Sequence, residues 1–118
     1  MQRSGHLARL KTDIWVSALM RRAVSEGAFA VVAKRGDRDA GTVLLTVRTR
    51  DGLMRLYQAA TDMDGERVWY EGGAQSARDI DAVIARRSAR DVDLWVVEID
   101  DKDGRHFLTE PVVSAVKT

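Results

Sequence analysis

The chain has 118 residues, no cysteine and a formal net charge of +1. That length suits a single domain over residues 1–118 that folds on a hydrophobic core alone, and the missing cysteine excludes disulfides, thiolate metal sites and a cysteine nucleophile. No apolar run approaches the ~18 residues of a membrane span, and Arg3, His6 and Arg9 interrupt any export-signal core, so a cytoplasmic location without a membrane is expected.

Thr12 to Glu26 places Ile14, Trp15, Ala18, Leu19 and Ala23 at helical spacing, which predicts an amphipathic helix. Thr12 or Asp13 suits its N-cap, and Gly27 suits the residue just beyond its end. Arg21 and Arg22 complement the helix dipole there. Phe29-Ala-Val-Val-Ala33 then reads as a strand, followed by the polar loop Arg35 to Gly41. Thr42 to Thr49, rich in Val, Leu and Thr, reads as a second strand.

Asp51-Gly52, Asp64-Gly65 and Asp103-Gly104 lie between alternating runs, and aspartate before glycine supplies the backbone angles of a tight reversal. The first two turns predict a meander of Thr42–Thr49, Leu53–Ala59 and Glu66–Glu71. Ser76-Ala-Arg-Asp79 resembles a capping box, opening a helix to about Arg90 with Ile80, Val83 and Ile84 as its apolar stripe. Leu94 to Ile99 is nearly continuously apolar, as expected of a central strand covered on both faces. The third turn predicts a short edge partner over Arg105 to Glu110, which Pro111 ends. Residues 1–10 and 112–118 are expected as flexible ends, with Val112 to Thr118 alternatively docking on a partner. The fold class is therefore α+β, with an antiparallel or mixed sheet of about six strands and two helices, in the order α-β-β-β-β-α-β-β.

Charge is uneven along the chain. Residues 1–50 hold ten Lys/Arg against four acids, and the remainder nine against fourteen. Such a dipolar balance suits self-association or an anionic partner, unless folding intermixes the two halves.

No reactive constellation stands out. Asp101, Asp103 and Glu110 occupy positions three, five and twelve of a calcium-loop pattern, as do Asp62, Asp64 and Glu71. Position one is Ile99 or Ala60, however, and the flanks read as strands, so turn chemistry suffices and neither a metal nor another cofactor is expected. His106 is the best candidate catalytic base, with Asp101 and Arg105 beside it and Arg21 and Arg22 as outside contributors; no serine elbow or second histidine completes a site. Arg35 and Arg38 form a basic loop with two glycines, a candidate anion site that lacks phosphate-loop spacing. Arg35, Arg38, Arg48, Arg50 and Arg55 near Tyr57, Trp69 or Tyr70 could serve RNA, but near-neutral charge disfavours nucleic acid. Trp69, Tyr70 and Tyr57 are also a candidate protein interface.

Ile14-Trp-Val-Ser-Ala-Leu-Met-Arg-Arg22, Phe29 to Leu45, and Asp93-Leu-Trp-Val-Val-Glu-Ile-Asp-Asp-Lys-Asp-Gly-Arg-His-Phe-Leu108 are similar to segments of a known family. The chain resembles, over about Leu10 to Glu110, a family of short single-domain bacterial proteins found largely in alphaproteobacteria and known as a domain of unknown function. The resemblance implies a bacterial cytoplasmic protein and carries over no activity, cofactor or catalytic residue. The residues favour a small non-catalytic binding or protein-interaction domain, self-associating through a sheet edge or an aromatic surface. A ligand or enzyme site around His106, and RNA binding through Arg35 to Arg55, are the alternatives.

Overall fold

A computed structural model describes residues 10–114, so the expectations for Arg3, His6, Arg9 and residues 115–118 lie outside the described residues. Helix α1 (Thr12–Ser25) buries Thr12, Trp15, Val16, Leu19 and Ala23. These positions recur at the three- and four-residue spacing of one helical face. Ile14, expected on that face, is exposed, and Val16 takes the buried place instead. The N-cap is Lys11 and not Thr12 or Asp13, and no side chain among the described residues caps the helix. Two loop carbonyls do so: Thr12 N–H donates to Asp39 O at 3.2 Å and Asp13 N–H to Arg38 O at 2.9 Å. Gly27, at φ +94°, turns the chain out of the helix as expected.

Strands β1 (Phe29–Lys34), β2 (Val43–Arg48), β3 (Met54–Thr61) and β4 (Arg67–Glu71) follow. Helix α2 (Ala77–Arg90), β5 (Trp95–Asp100) and β6 (Val112–Ser114) complete the order α-β-β-β-β-α-β-β. Ser76 caps α2 by accepting from Asp79 N–H at 3.1 Å. The sheet runs β1-β5-β2-β3-β4-β6. It is mixed: β2 and β5 are parallel, β4 and β6 are parallel, and the remaining neighbours are antiparallel.

Each helix covers one face. Against α1 lie Val43, Leu45 and Val47 of β2, together with Tyr57, Trp69, Trp95 and Val97. Against α2 lie Leu44, Met54, Leu56, Leu94 and Val96. This two-sided covering explains the apolar run of β5, whose alternate residues enter different cores.

The meander forms as predicted, with Gly52 at φ +84° and Gly65 at φ +83°. The segment Arg105 to Glu110 does not form the expected edge strand. Gly104 reverses the chain at φ +71°, but Phe107 at φ +61° breaks the extended run that hairpin pairing needs. The chain instead crosses to the far edge, where Trp69 N–H donates to Pro111 O at 2.9 Å and Val112–Ser114 pairs with β4. Val112–Ser114, expected within a flexible tail, is therefore a strand.

Candidate functional site

The segment after β5 gathers the residues singled out for chemistry. Asp101 is 2% exposed. Its Oδ2 accepts from Asp103 N–H at 3.2 Å, Arg105 N–H at 2.8 Å and Arg105 Nε at 3.0 Å, and its Oδ1 accepts from Arg105 Nη2 at 2.8 Å. The Arg105 side-chain hydrogen bonds hold the Asp101 carboxyl down at a pKa of about 2, against the opposing effect of burial. Arg105 also donates to Glu26 O at 3.1 Å and lies over the Phe107 ring at 4.9 Å. Asp101 and Arg105 are thus closed on each other and tie the segment to the end of α1.

His106 faces elsewhere. Its Nδ1 accepts from Leu108 N–H at 2.9 Å, and its ring meets Tyr57 edge-on at 5.3 Å. The Tyr57 hydroxyl donates to Glu71 Oε2 at 2.7 Å. Burial lowers the His106 pKa, with Glu71 opposing, while burial and then the Glu71 hydrogen bond raise that of Tyr57. Sequence proximity of His106 to Asp101 and Arg105 does not become convergence. Arg22 reaches the same segment, its Nε donating to Phe107 O at 3.1 Å, while Arg21 is exposed.

Glu110 has a role that sequence reasoning missed. Trp15 Nε1 donates to its Oε2 at 3.0 Å and Trp69 Nε1 to its Oε1 at 3.1 Å, beneath indole rings stacked at 5.4 Å. One carboxylate therefore satisfies both buried indoles, and nothing in a single sequence marks an acid before proline for that task. This packing corrects the aromatic-interface expectation. Trp69 and Tyr57 are fully buried on the α1 face, because they supply the core under that helix. Tyr70 is exposed, its register neighbour in β3 being Gln58, which bonds Arg87 of α2.

The basic loop is held down rather than open. Asp37 N–H donates to Asp93 O at 3.0 Å, and Trp95 Nε1 donates to Asp37 O at 2.7 Å. Arg35 lies over the Trp95 ring at 4.9 Å, and Arg38 bonds Asp13 at 3.3 Å. The two arginines are turned to different partners. Arg48 and Arg55 pair with Met54 and Val47, which belong to opposite cores, so the arginines named for RNA do not share a face.

The acids of the imitated calcium loops hold turns. Asp62 Oδ1 accepts from Asp64 N–H and Glu66 N–H, both at 2.9 Å, as Asp101 does in its own turn. Among the described residues no cluster of three or more His, Asp or Glu side chains is placed to hold a metal.

Among the described residues the sheet leaves one long edge, where β1 has β5 as its only strand neighbour. Phe29 is 78% exposed and Val31 50% exposed, both on the α2 face of the sheet. Register is regular from Phe29 to Val32 and shifts between Val32 and Lys34, which confines the irregularity to the strand's end.

These features define a class: a small α+β domain with a mixed sheet between two helices and an apolar open edge. A family model described as a protein of unknown function, DUF1491, matches residues 10–109, and the chain belongs to that family. It is similar to a DUF1491 family protein from Caulobacter crescentus CB15, whose crystal structure shares 53% identity at a TM-score of 0.85, covering 89% of this chain and 100% of that one. An NMR structure of a DUF1491 family protein from the same organism matches at 53% identity and a TM-score of 0.81, covering 89% and 97%. A solution structure of a protein from A. tumefaciens matches at 34% identity and a TM-score of 0.77, covering 93% and 99%. No curated protein matches. Among the described residues, no helix is long and apolar enough to cross a membrane.

Proposed function

We propose that this chain is a non-catalytic cytoplasmic interaction domain that associates with a second copy of itself through β1. The observation carrying this reading is the pairing of a strand edge left unfilled among the described residues with the exposed Phe29 and Val31 side chains. An open edge is a template for strand addition, and apolar side chains beside it add burial to backbone hydrogen bonding. An antiparallel arrangement also suits the charges at the two ends of β1. A two-fold axis normal to the sheet near Val31 brings Lys34 and Arg35 of one copy toward the end of β1 flanked by Glu26 and Asp100 in the other. Such an isologous contact closes as a dimer and buries both edges together.

Sedimentation velocity tests it. The wild type is expected to dimerise at concentrations up to about 100 μM, and Val31→Lys to sediment as a monomer with unchanged circular dichroism. A wild type that stays monomeric over that range, or a Val31→Lys variant that dimerises equally well, rejects the β1 interface.

A further inference from the structure

On the α2 side of the sheet, two rows of side chains form the floor of a cavity of about 290 Å³. Strand register sets the rows: Val31, Glu98 and Thr46 lie side by side across β1, β5 and β2, and Phe29, Asp100 and Arg48 form the next row. Ala77 and Asp81, one turn apart on α2, make the wall, with Met54 at its foot. Among the described residues, α2 packs toward β3 and leaves the β1 end of this face uncovered.

Thr46 is the feature that packing alone does not explain. It is 0% exposed, it lines the cavity, and among the described residues its Oγ1 has no hydrogen-bond partner. A buried hydroxyl left unpaired forfeits its hydration and gains nothing in exchange, whereas valine has the same shape and no such cost. Around it stand Asp81, Glu98 and Asp100 against the single lining cation Arg48. No ion pair within 4.0 Å engages any of these four among the described residues.

We infer that this cavity binds a small organic cation, a primary amine carried on a compact apolar body. Thr46 is closed to water, so the ammonium reaches Oγ1 as the lining side chains above it shift, and Glu98 with Asp81 and Asp100 supplies the counter-charge. Phe29, Val31 and Met54 hold the apolar body. Three carboxylates facing one guanidinium repel a carboxylate or phosphate ligand. A bare metal ion fails on a different count, since the acids are not clustered for coordination and apolar side chains share the lining. The cavity is open to solvent, and at ~30 Å³ per water-sized group it has room for about ten non-hydrogen atoms, the size of a phenylalkylamine.

The site shares Phe29 and Val31 with the proposed dimer edge but depends on side chains of the sheet face, so a Thr46→Val variant should dimerise as the wild type does. Titration of the ¹⁵N-labelled full chain with phenethylamine, followed by amide chemical shifts, tests the inference. Saturable shifts are expected at Val31, Thr46 and Glu98, and none with 3-phenylpropanoate, which has a similar body and the opposite charge. Thr46→Val, which replaces the hydroxyl with a methyl group of the same shape, should weaken binding about tenfold while keeping the fold. Glu98→Gln should weaken it through lost charge. The inference is overturned by the absence of saturation up to about 10 mM, by an equal response to 3-phenylpropanoate, or by undiminished binding to Thr46→Val. Tighter binding of N-acetyl-lysine methylamide than of phenethylamine also overturns it, since the occupant would then be a protein side chain.

Discussion

Asp101 uses both carboxylate oxygens within its own chain, and that arrangement gives the acid limb of stability a specific contributor. A carboxyl whose pKa falls from 3.8 to about 2 on folding stabilises the folded state by about 2 kcal/mol once ionised in both states. The sign follows from proton uptake: the unfolded chain binds the proton first as pH falls, so the contribution is complete above 3.8 and is lost as pH drops to about 2. Urea denaturation of Asp101→Asn at a series of pH values should therefore show a deficit that is largest near neutrality and shrinks across that window. A deficit independent of pH would assign the role of Asp101 to neutral hydrogen bonding. Single residues are partly legible in the sequence. Asp101, Arg105 and His106 stand out as a local group, and Asp101 and Arg105 do meet. The sequence does not show that they close on each other while His106 turns to Tyr57, because Tyr57 is brought there by β3, far away along the chain.

At the scale of elements, the loop between β1 and β2 shows how close contact determines what a position tolerates. A Cβ added at Gly36 would lie 2.0 Å from Asp93 O, a backbone atom that cannot swing aside. One added at Gly27 meets nothing within 4 Å and suffers only from the positive φ of +94°. Gly36→Ala should accordingly cost about 3 kcal/mol, and Gly27→Ala about 1 kcal/mol, in thermal or urea unfolding. The reverse order would mean that the loop is not seated on the residues leading into β5. Most elements are legible, because a two-residue turn and strict alternation are local properties. The exception, Arg105 to Glu110, has the composition of a strand. It is not one because the Asp101 carboxylate gathers the Asp103 and Arg105 amides and Phe107 turns left-handed, both tertiary outcomes. The parallel contacts of β5 with β2 and β6 with β4 are hidden for a related reason: turn chemistry says where a chain reverses, not which distant strand it joins.

Across the whole molecule, Glu110 links parts that are remote in sequence. Through Trp15 it reaches α1, and through Trp69 it reaches β4, so one side chain joins helix, sheet and the crossing segment that leads to β6. Removing it leaves two buried indole N–H groups without their acceptor, and Glu110→Ala should lose about 2–3 kcal/mol, with tryptophan fluorescence reporting the changed surroundings. Glu110→Gln, which keeps one acceptor oxygen, should fall between. Equal stability of Glu110→Ala and wild type would show that water replaces the carboxylate without cost.

The start of α1 carries a last consequence. Its leading amides are held by the carbonyls of Arg38 and Asp39, contributed from beyond β1. The initial turn therefore cannot be completed by local sequence, and it frays whenever that loop lifts away. Helix entry and loop release are expected to open together, since the first turn is fully satisfied only while the loop beyond β1 is docked.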